Sequence, residues 1–176
     1  MEIQKRNTSL PKIVDLFSGA GGLSLGAARA GFNICAAIEI DKESSSAHRA
    51  NSPKTIHLDQ DMSSLSGDKL LSTLELERGD LAGIVGGPPC QGFSHMGKND
   101  IKDSRNELFV DFFRSVGEIL PKFFLAENVP GIMKERNIDI RDRAFSFIEK
   151  AYVLLTPMIL ARTITAPRLR ERGYSL

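Results

Sequence analysis

The feature that most constrains the fold is a short apolar run that leads into a glycine-rich loop and then into a helical pattern. Residues 13–17 (Ile-Val-Asp-Leu-Phe) are typical of a buried strand, and residues 18–22 follow as Ser-Gly-Ala-Gly-Gly. From Leu23 onward, small and apolar side chains recur at helical spacing, and Gly31 is placed to cap the end of that helix. This order predicts a strand, a loop and a helix whose N-terminus points at whatever binds above the sheet.

The glycine loop departs from the dinucleotide-binding fingerprint, because Ser24 stands where a third glycine would be needed. A pyrophosphate site is therefore not expected. Two interpretations stay open at this point. The loop is a tight strand–helix connection with no ligand, or its glycines permit the close approach of a nucleoside that lacks a diphosphate.

Further apolar runs continue the alternation of strands and helices along the chain. Strands are expected at residues 33–38, 55–58, 81–85, 122–126 and 152–160. Helices are expected at residues 42–51, 68–77, 105–120 and 141–150. The pattern predicts an α/β fold with a doubly wound, mostly parallel sheet, in which ligands bind beyond the carboxyl ends of the strands.

Acidic residues follow the second and third expected strands. Glu39 lies about 20 residues beyond the glycine loop, where an acid is placed to accept hydrogen bonds from ribose hydroxyls. Asp41 is better placed to cap the next helix. Asp59 and Asp61 come just after the third strand, and either of them could reach an adenine amino group or cap the helix that follows.

The fourth strand runs into Gly86-Gly87-Pro88-Pro89-Cys90. The two glycines let the backbone turn sharply and the prolines then stiffen it, so Cys90 is held at the rim of the sheet as a candidate nucleophile. The alternative is an ordinary turn in which Cys90 is a small buried residue. Glu127 ends the fifth strand and is expected near the mouth of this cysteine loop, because parallel strands share one C-terminal rim.

Composition fits one globular domain. The chain has 176 residues, of which 41% are hydrophobic and 26% are charged. We expect residues 1–11 to form a flexible lead-in and residues 12–176 to form the domain. No apolar run is long enough to span a bilayer, so no membrane association is expected. The net charge of +1 argues neither for nor against nucleic acid.

The cysteine and histidine content argues against structural cross-links. Two cysteines in a chain of this length make no disulfide framework, so a reducing cytoplasm is expected. Cys35 lies in the middle of the second strand and is interpreted as core packing. His48, His57 and His95 share no ligand spacing with the cysteines or with one another, and no metal site is predicted.

Taken in order, these motifs resemble those of the cytosine-5 DNA methyltransferases. Residues 15–22 (DLFSGAGG) are similar to the family's cofactor motif, residues 87–94 (GPPCQGFS) to its nucleophile motif, and residues 127–129 (ENV) to its acid motif. Residues 103–105 (DSR) also resemble the family. The resemblance extends over about residues 12–172, and several ordered motifs are far more specific than any one alone.

The resemblance implies an S-adenosylmethionine-dependent methyltransferase (Rossmann-like) fold and methylation of cytosine carbon 5 in duplex DNA, as in restriction-modification systems. Cys90 would add as a thiolate to carbon 6 of a cytosine flipped out of the helix. Glu127 would hydrogen-bond ring nitrogen 3 and the exocyclic amine. S-adenosylmethionine would give the methyl group and leave as S-adenosylhomocysteine, with no metal.

The resemblance also implies a cofactor pocket. Phe17 would contact the adenine ring, Glu39 the ribose hydroxyls and Asp61 the adenine amino group. The other implied pocket residues are Ser18, Gly19, Ala20, Gly21, Gly22, Ile40, Met62, Gly87, Pro89 and Leu108.

The match is poorer near the C-terminus. Residues 167–172 (PRLRER) correspond to a family motif in which Arg172 would contact the cytosine carbonyl oxygen and Arg170 would steady the site, but Arg168 replaces a glutamine. The family continues with a seventh strand, a target-recognition region and a last helix. The resemblance therefore implies a sheet that is incomplete at its C-terminal edge, with residues 153–176 misplaced, poorly ordered or paired with another chain.

Two alternatives to this function stay open. We expect the chain alone to be nearly inactive, and a non-catalytic S-adenosylmethionine-binding fragment or subunit would share its motifs. A transfer RNA cytosine-5 methyltransferase is the other alternative, although residues 91–94 (QGFS) look more like the DNA enzymes. The partners expected are duplex DNA and either a complementing C-terminal chain or a second copy, in the bacterial cytoplasm or nucleoid.

Overall fold

The structure, a computed structural model, describes residues 10–89 and 107–160. The expectations for most of the N-terminal lead-in, for Cys90 and residues 91–106, and for Arg170 and Arg172 lie outside these ranges. Leu10 and Pro11, the described part of the lead-in, are exposed.

The described part of the chain contains one parallel sheet of five strands, in the order β3-β2-β1-β4-β5. Its strands are β1 (Lys12–Leu16), β2 (Asn33–Ile38), β3 (Ile56–Leu58), β4 (Gly83–Gly86) and β5 (Phe123–Ala126). The chain moves outward from β1 to β3 and then returns to the other side of β1. The point where this order reverses lies between β1 and β4, and ligands of such sheets bind there.

Helices accompany the strands, as the alternating pattern predicts. They are α1 (Gly22–Arg29), α2 (Lys42–Asn51), α3 (Gly67–Thr73), α4 (Glu107–Ile119) and α5 (Ile138–Ser146). Two 3-10 helices, Pro130–Met133 and Glu135–Asn137, lie between β5 and α5. The α/β class and the parallel sheet are therefore confirmed.

The main core forms between the sheet and the apolar face of α4. Phe109, Phe112, Phe113, Val116 and Ile119 are buried at helical spacing, as expected. Leu120, expected in the same stripe, is 40% exposed. It follows the last helical residue with a φ of 55°, which turns its side chain away from that face.

Local signals set several helix ends. Asp41 caps α2 by accepting a hydrogen bond from the Ser44 amide at 2.9 Å, and Gly31 follows α1 with a φ of 91°, both as predicted. A helix was expected at residues 68–77, and its predicted C-terminal end is wrong. The helix stops at Thr73, because Glu75 adopts a left-handed φ of 52° that a helix cannot continue through.

The strand expected at residues 152–160 is wrong. This segment has no regular structure, and Val153 is 90% exposed. Its start is held by Tyr152, whose hydroxyl donates to the Pro121 carbonyl and whose ring packs against Phe124. Within the described residues β5 pairs only with β4, so residues 153–160 are not placed in the sheet. The helix expected at 141–150 also begins earlier, at Ile138.

The described helices include none that is both long enough and apolar enough to cross a bilayer.

Candidate cofactor pocket and active site

Strand register brings the predicted motifs to one edge of the sheet. Leu16 of β1 pairs with Ile38 of β2 and with Gly86 of β4, and Gly86 in turn pairs with Ala126 of β5. The residues that follow these strands therefore leave the sheet at the same level. They are Phe17, Glu39, Gly87 and Glu127, one from each motif.

The glycine loop begins with a reversal of the backbone. Phe17 and Gly19 adopt left-handed φ values of 58° and 53°, and the Ser18 amide donates to the Ile38 carbonyl at 3.0 Å. Among the described residues, none has an atom within 4 Å of a Cβ built on Gly19 or on Gly22. The space above these two residues is therefore open. A glycine is favoured at position 19 because its backbone φ is positive, and not because a side chain would be crowded there.

Glu39 ties the glycine loop to the start of α2. Its carboxylate accepts one hydrogen bond from the Gly19 amide and another from the Asp41 amide, both at 2.9 Å. Each carboxylate oxygen has two lone pairs, so Glu39 keeps acceptor capacity for a ligand hydroxyl. The side chain predicted to bind ribose is thus held in place by two backbone groups.

A cavity of about 150 Å³ lies next to this loop. Its lining includes eight of the predicted cofactor residues: Phe17, Glu39, Ile40, Asp61, Met62, Gly87, Pro89 and Leu108. The other five predicted residues, Ser18, Gly19, Ala20, Gly21 and Gly22, form the adjacent loop rather than the cavity wall. Ile38 and Gln60 also line it and were missed by the sequence prediction. Their positions at strand ends, beside Glu39 and Asp61, were the available signal.

The cavity has the chemistry that a nucleoside requires. Phe17, Pro89 and Leu108 supply apolar walls, while Glu39 and Asp61 supply two carboxylates. Such a mixture of apolar surface and a few polar groups is typical of small-molecule sites. The open space over Gly19 and Gly22 leaves room for the rest of a ligand. These residues therefore fit S-adenosylmethionine.

The structure separates the two acids that follow β3. Asp59 accepts hydrogen bonds from the Ser45 hydroxyl at 2.6 Å and from Arg49 at 2.7 and 2.8 Å, and these contacts lower its pKa. Asp61 accepts from the Ser63 amide at 2.9 Å and faces the cavity. Neither acid caps α3, because Ser66 occupies that position.

Glu127 lies beside the entrance to the cysteine loop. Its amide donates to the Gly86 carbonyl at 2.9 Å, and a Cβ built on Gly87 would lie 3.2 Å from its carboxylate oxygen Oε2. Asn128 reaches the same loop, since its side-chain amide donates to the Pro88 carbonyl at 3.3 Å. This contact of Asn128 was not predicted. The two strand ends are thus joined directly before the chain reaches Cys90.

Four polar side chains form a column under the glycine loop, of which Asp15, Ser24 and His48 are buried and His57 is half-buried. Ser24 donates to Asp15 at 2.7 Å and contacts His48 Nε2 at 2.9 Å, and His48 Nδ1 lies 2.8 Å from His57 Nε2. Burial raises the pKa of Asp15 to about 6 and lowers the pKa of both histidines. In the sequence the histidines were considered only for metal-ligand spacing, and this contact between His48 and His57 was not predicted.

The described residues contain no group of three or more histidine, cysteine or acidic side chains that could hold a metal ion.

Comparison with known proteins places these features in a family. A family model described as C-5 cytosine-specific DNA methylase matches residues 11–176. The type II methyltransferase M.DdeI of Desulfomicrobium norvegicum is 48% identical over 167 residues, which cover 92% of this chain and 39% of that protein. The type II methyltransferase M.AquIA of Picosynechococcus is 33% identical over 176 residues, which cover 93% of this chain and 70% of that protein.

Solved structures give the same result. A proposed DNA modification methyltransferase encoded within an E. coli prophage superposes with a TM-score of 0.75 at 46% identity, over 84% of this chain and 40% of that one. The DNMT2 of Spodoptera frugiperda superposes with a TM-score of 0.58 at 26% identity, over 80% of this chain and 41% of that one. The chain thus spans less than half the length of M.DdeI and of both solved proteins.

Proposed function

The chain belongs to the C-5 cytosine-specific DNA methylase family, and on this premise we propose that it forms the catalytic portion of a DNA (cytosine-5) methyltransferase of the restriction-modification type. The observation that carries the proposal is the contact between two motifs that are far apart in sequence. The Glu127 carboxylate lies beside the backbone of Gly87, and the Asn128 side-chain amide donates to the Pro88 carbonyl. The acid is therefore held next to the segment that leads to Cys90.

The reaction requires a nucleophile and an acid on opposite sides of one pyrimidine. Cys90 attacks as the thiolate, and its sulfur forms a bond to carbon 6 of the cytosine. Glu127 holds ring nitrogen 3 and the exocyclic amine, and stabilises the charge that develops there. Carbon 5 becomes nucleophilic, takes up the methyl group, and then loses its proton as the sulfur–carbon bond breaks.

We assign the cavity to S-adenosylmethionine, which supplies the methyl group when bound. Phe17 contacts the adenine ring, Asp61 accepts from the adenine amino group, and Glu39 accepts from the ribose hydroxyls. Ser18 to Gly22 let the amino-acid part approach the backbone. Gly87 and Pro89 line this cavity and also begin the cysteine loop, so they would hold the cofactor beside the segment that carries Cys90.

Duplex DNA is the proposed substrate, with Arg170 and Arg172 near the flipped cytosine. An extruded base costs a few kcal/mol of stacking and pairing, and contacts with the DNA must supply that energy. We therefore propose that the chain acts with a complementing C-terminal chain. The exposed edge of β5, where Leu125 is 53% exposed, is the surface at which a further strand would pair.

We place the reaction in the bacterial cytoplasm, because a catalytic thiolate needs a reducing compartment.

The test is transfer of labelled methyl groups to duplex DNA by the 176-residue chain, with and without a C-terminal chain taken from M.DdeI beyond the matched region. We expect transfer only in the complemented mixture, and none with Cys90→Ser. Cofactor binding without transfer in any mixture would favour the non-catalytic alternative. Transfer to transfer RNA in preference to DNA would favour an RNA substrate. If the 176-residue chain assembles with itself instead, the partner is a second copy of this chain and not a complementing C-terminal chain.

A further inference from the structure

The side chains beneath the glycine loop play no part in the chemistry described so far. Asp15 on β1, Ser24 on α1, His48 on α2 and His57 on β3 form a chain of contacts of 2.7 to 2.9 Å. Asp15 and His48 are fully buried, and Ser24 is 1% exposed. Polar groups buried at this depth are costly unless each one has a partner, so this column is a specific structure rather than a solvated surface.

When Asp15 is ionised and both histidines are neutral, one set of hydrogen-bond directions satisfies these three contacts. Ser24 donates its hydroxyl proton to the Asp15 carboxylate, so its oxygen accepts from the N–H at His48 Nε2. A neutral His48 then has an acceptor at Nδ1, which the N–H at His57 Nε2 fills. Both imidazoles therefore carry their hydrogen on Nε2, and every donor in the column points toward Asp15.

The column supports the glycine loop directly. A Cβ built on Gly21 would lie 2.8 Å from His48 Cδ2, so the imidazole ring packs against the backbone of Gly21 from below. Gly21 is the N-cap of α1, and its amide donates to the Ser18 carbonyl at 2.9 Å. Ser24 stands in the first turn of the same helix. His48 thus contacts the loop at Gly21 and the helix at Ser24.

We propose that His48 is a positioning residue for the cofactor pocket, and that the column from His57 to Asp15 holds the glycine loop in the conformation that binds the nucleoside. The proposal rests on the assignment of the cavity to S-adenosylmethionine. It also gives Ser24 a role, because a glycine at this position would leave Asp15 and His48 without their shared partner.

His57 allows a test away from the ligand, because it is not among the described residues that line the cavity. His57→Leu removes the donor to His48, whereas His57→Gln keeps an N–H donor near the same place. Thr55→Val is the control. It removes the hydrogen bond from the Thr55 hydroxyl, one residue before β3, to the Ile34 carbonyl at 2.9 Å, and it leaves the backbone of Thr55 and the contacts of the column in place.

The first measurement is calorimetric titration of the full chain with S-adenosylhomocysteine. Loss of one buried hydrogen bond, about 1 kcal/mol, corresponds to about fivefold weaker binding for His57→Leu if the loop depends on it. We expect His57→Gln and Thr55→Val to bind within about twofold of the native chain. Equal weakening by His57→Leu and Thr55→Val, in step with their thermal stability, would reduce the column to ordinary packing and overturn the proposal.

The second measurement is nuclear magnetic resonance of the ligand-free chain. Imidazole nitrogen shifts should show hydrogen on Nε2 of His48 and His57, and His57→Leu should move the amide signals of Gly19 and Gly21, which His57→Gln restores. Unmoved amides, or the other tautomer, would refute the proposal whether or not cofactor binds. If the native chain binds no S-adenosylhomocysteine while these signals behave as expected, the cofactor assignment fails and the positioning role stands.

Discussion

The two sides of the sheet's carboxyl rim are built in different ways. On the side of β1, β2 and β3, the loops are held by polar side chains: Glu39 accepts from two backbone amides, and the column beneath the glycine loop is joined by side-chain hydrogen bonds. Among the described residues, Asp15 Oδ1 has no hydrogen-bond partner. On the side of β4 and β5, the described residues end in an exposed edge. Leu125 is 53% exposed, and the apolar segment that begins at Val153 packs little of its surface.

This difference indicates that the residues proposed to bind the cofactor and those proposed to act on the base depend on different parts of the sheet. Most residues of the proposed cofactor side follow β1, β2 and β3, which are neighbours in the sheet, while Gly87, Pro89 and Leu108 add a wall from β4 and α4. The proposed substrate side depends on a contact between the ends of β4 and β5 and on the proposed complementing chain. Cofactor binding and base chemistry should therefore respond separately to mutation.

The largest effect is expected on the substrate side. In the complemented assay, Cys90→Ser should lower methyl transfer by at least about a thousandfold, since it removes the attacking thiolate. Glu127→Gln should lower the rate about a hundredfold or more, because the developing charge loses its partner. Both variants should bind S-adenosylhomocysteine as the native chain does. Weaker binding of S-adenosylhomocysteine by either variant would show that cofactor binding and base chemistry do not depend on separate residues.

The next effect concerns the stability of the cofactor side. The pKa of Asp15 is raised from 3.8 to about 6 in the folded state, so the native protein binds the proton more tightly than the unfolded chain. Its contribution to stability is present at acid pH and is lost as the pH rises through about 6, in total about 3 kcal/mol.

Asp15→Asn removes this loss. The unfolding free energy of the variant minus that of the native chain should therefore increase by about 2 kcal/mol between pH 4 and pH 7. Urea unfolding at a series of pH values measures it. A difference that does not change with pH would mean that Asp15 is not charged and buried as described. The histidines act in the opposite direction, since their lowered pKa values remove stability on acidification, but they are common to both proteins.

A smaller effect, on cofactor binding, is expected from substitution of Glu39, the acid proposed to bind the ribose hydroxyls. Glu39→Gln leaves one acceptor oxygen for two backbone amides and the ligand, so binding of S-adenosylhomocysteine should weaken about tenfold or somewhat more. Glu43→Gln is the matched control, because Glu43 lies in the first turn of α2 and is exposed outside the cavity. Calorimetry on both variants measures the difference, and equal binding by the two would remove Glu39 from the site.

The smallest change in stability is expected at the open edge. Leu125→Lys should alter the unfolding free energy of the chain alone by less than about 0.5 kcal/mol, since this side chain is exposed. The same change should weaken association with the complementing chain, because it places a charge on the edge that must be covered. Sedimentation of the mixture measures the association. Unchanged association would locate the partner elsewhere.

Local signals predicted most of the fold and part of the site. The five short strands, the Asp41 cap and the face of α4 follow from patterns within a few residues of each other. The strand at 152–160 was wrong because its apolar residues fit a strand, whereas pairing depends on a neighbour that the pattern does not show. The contact of His48 with His57 joins a helix to the strand that follows it, and the contact of Asn128 with Pro88 joins segments 40 residues apart, so the periodicity within one element reveals neither. Ser24 was noted only for what it replaces, although it connects the column.

The most direct test of the central claim, that Cys90 attacks a base held by Glu127, is to trap the covalent adduct. The complemented protein is incubated with S-adenosylmethionine and duplex DNA that carries 5-fluorocytosine, and its intact mass is measured. After methyl transfer, carbon 5 bears fluorine in place of the proton that must leave, so the sulfur–carbon bond at Cys90 persists. The account predicts a protein–DNA adduct that maps to Cys90 and is absent from Cys90→Ser. Methyl transfer to ordinary DNA by Cys90→Ser, or an adduct at another residue, would contradict it.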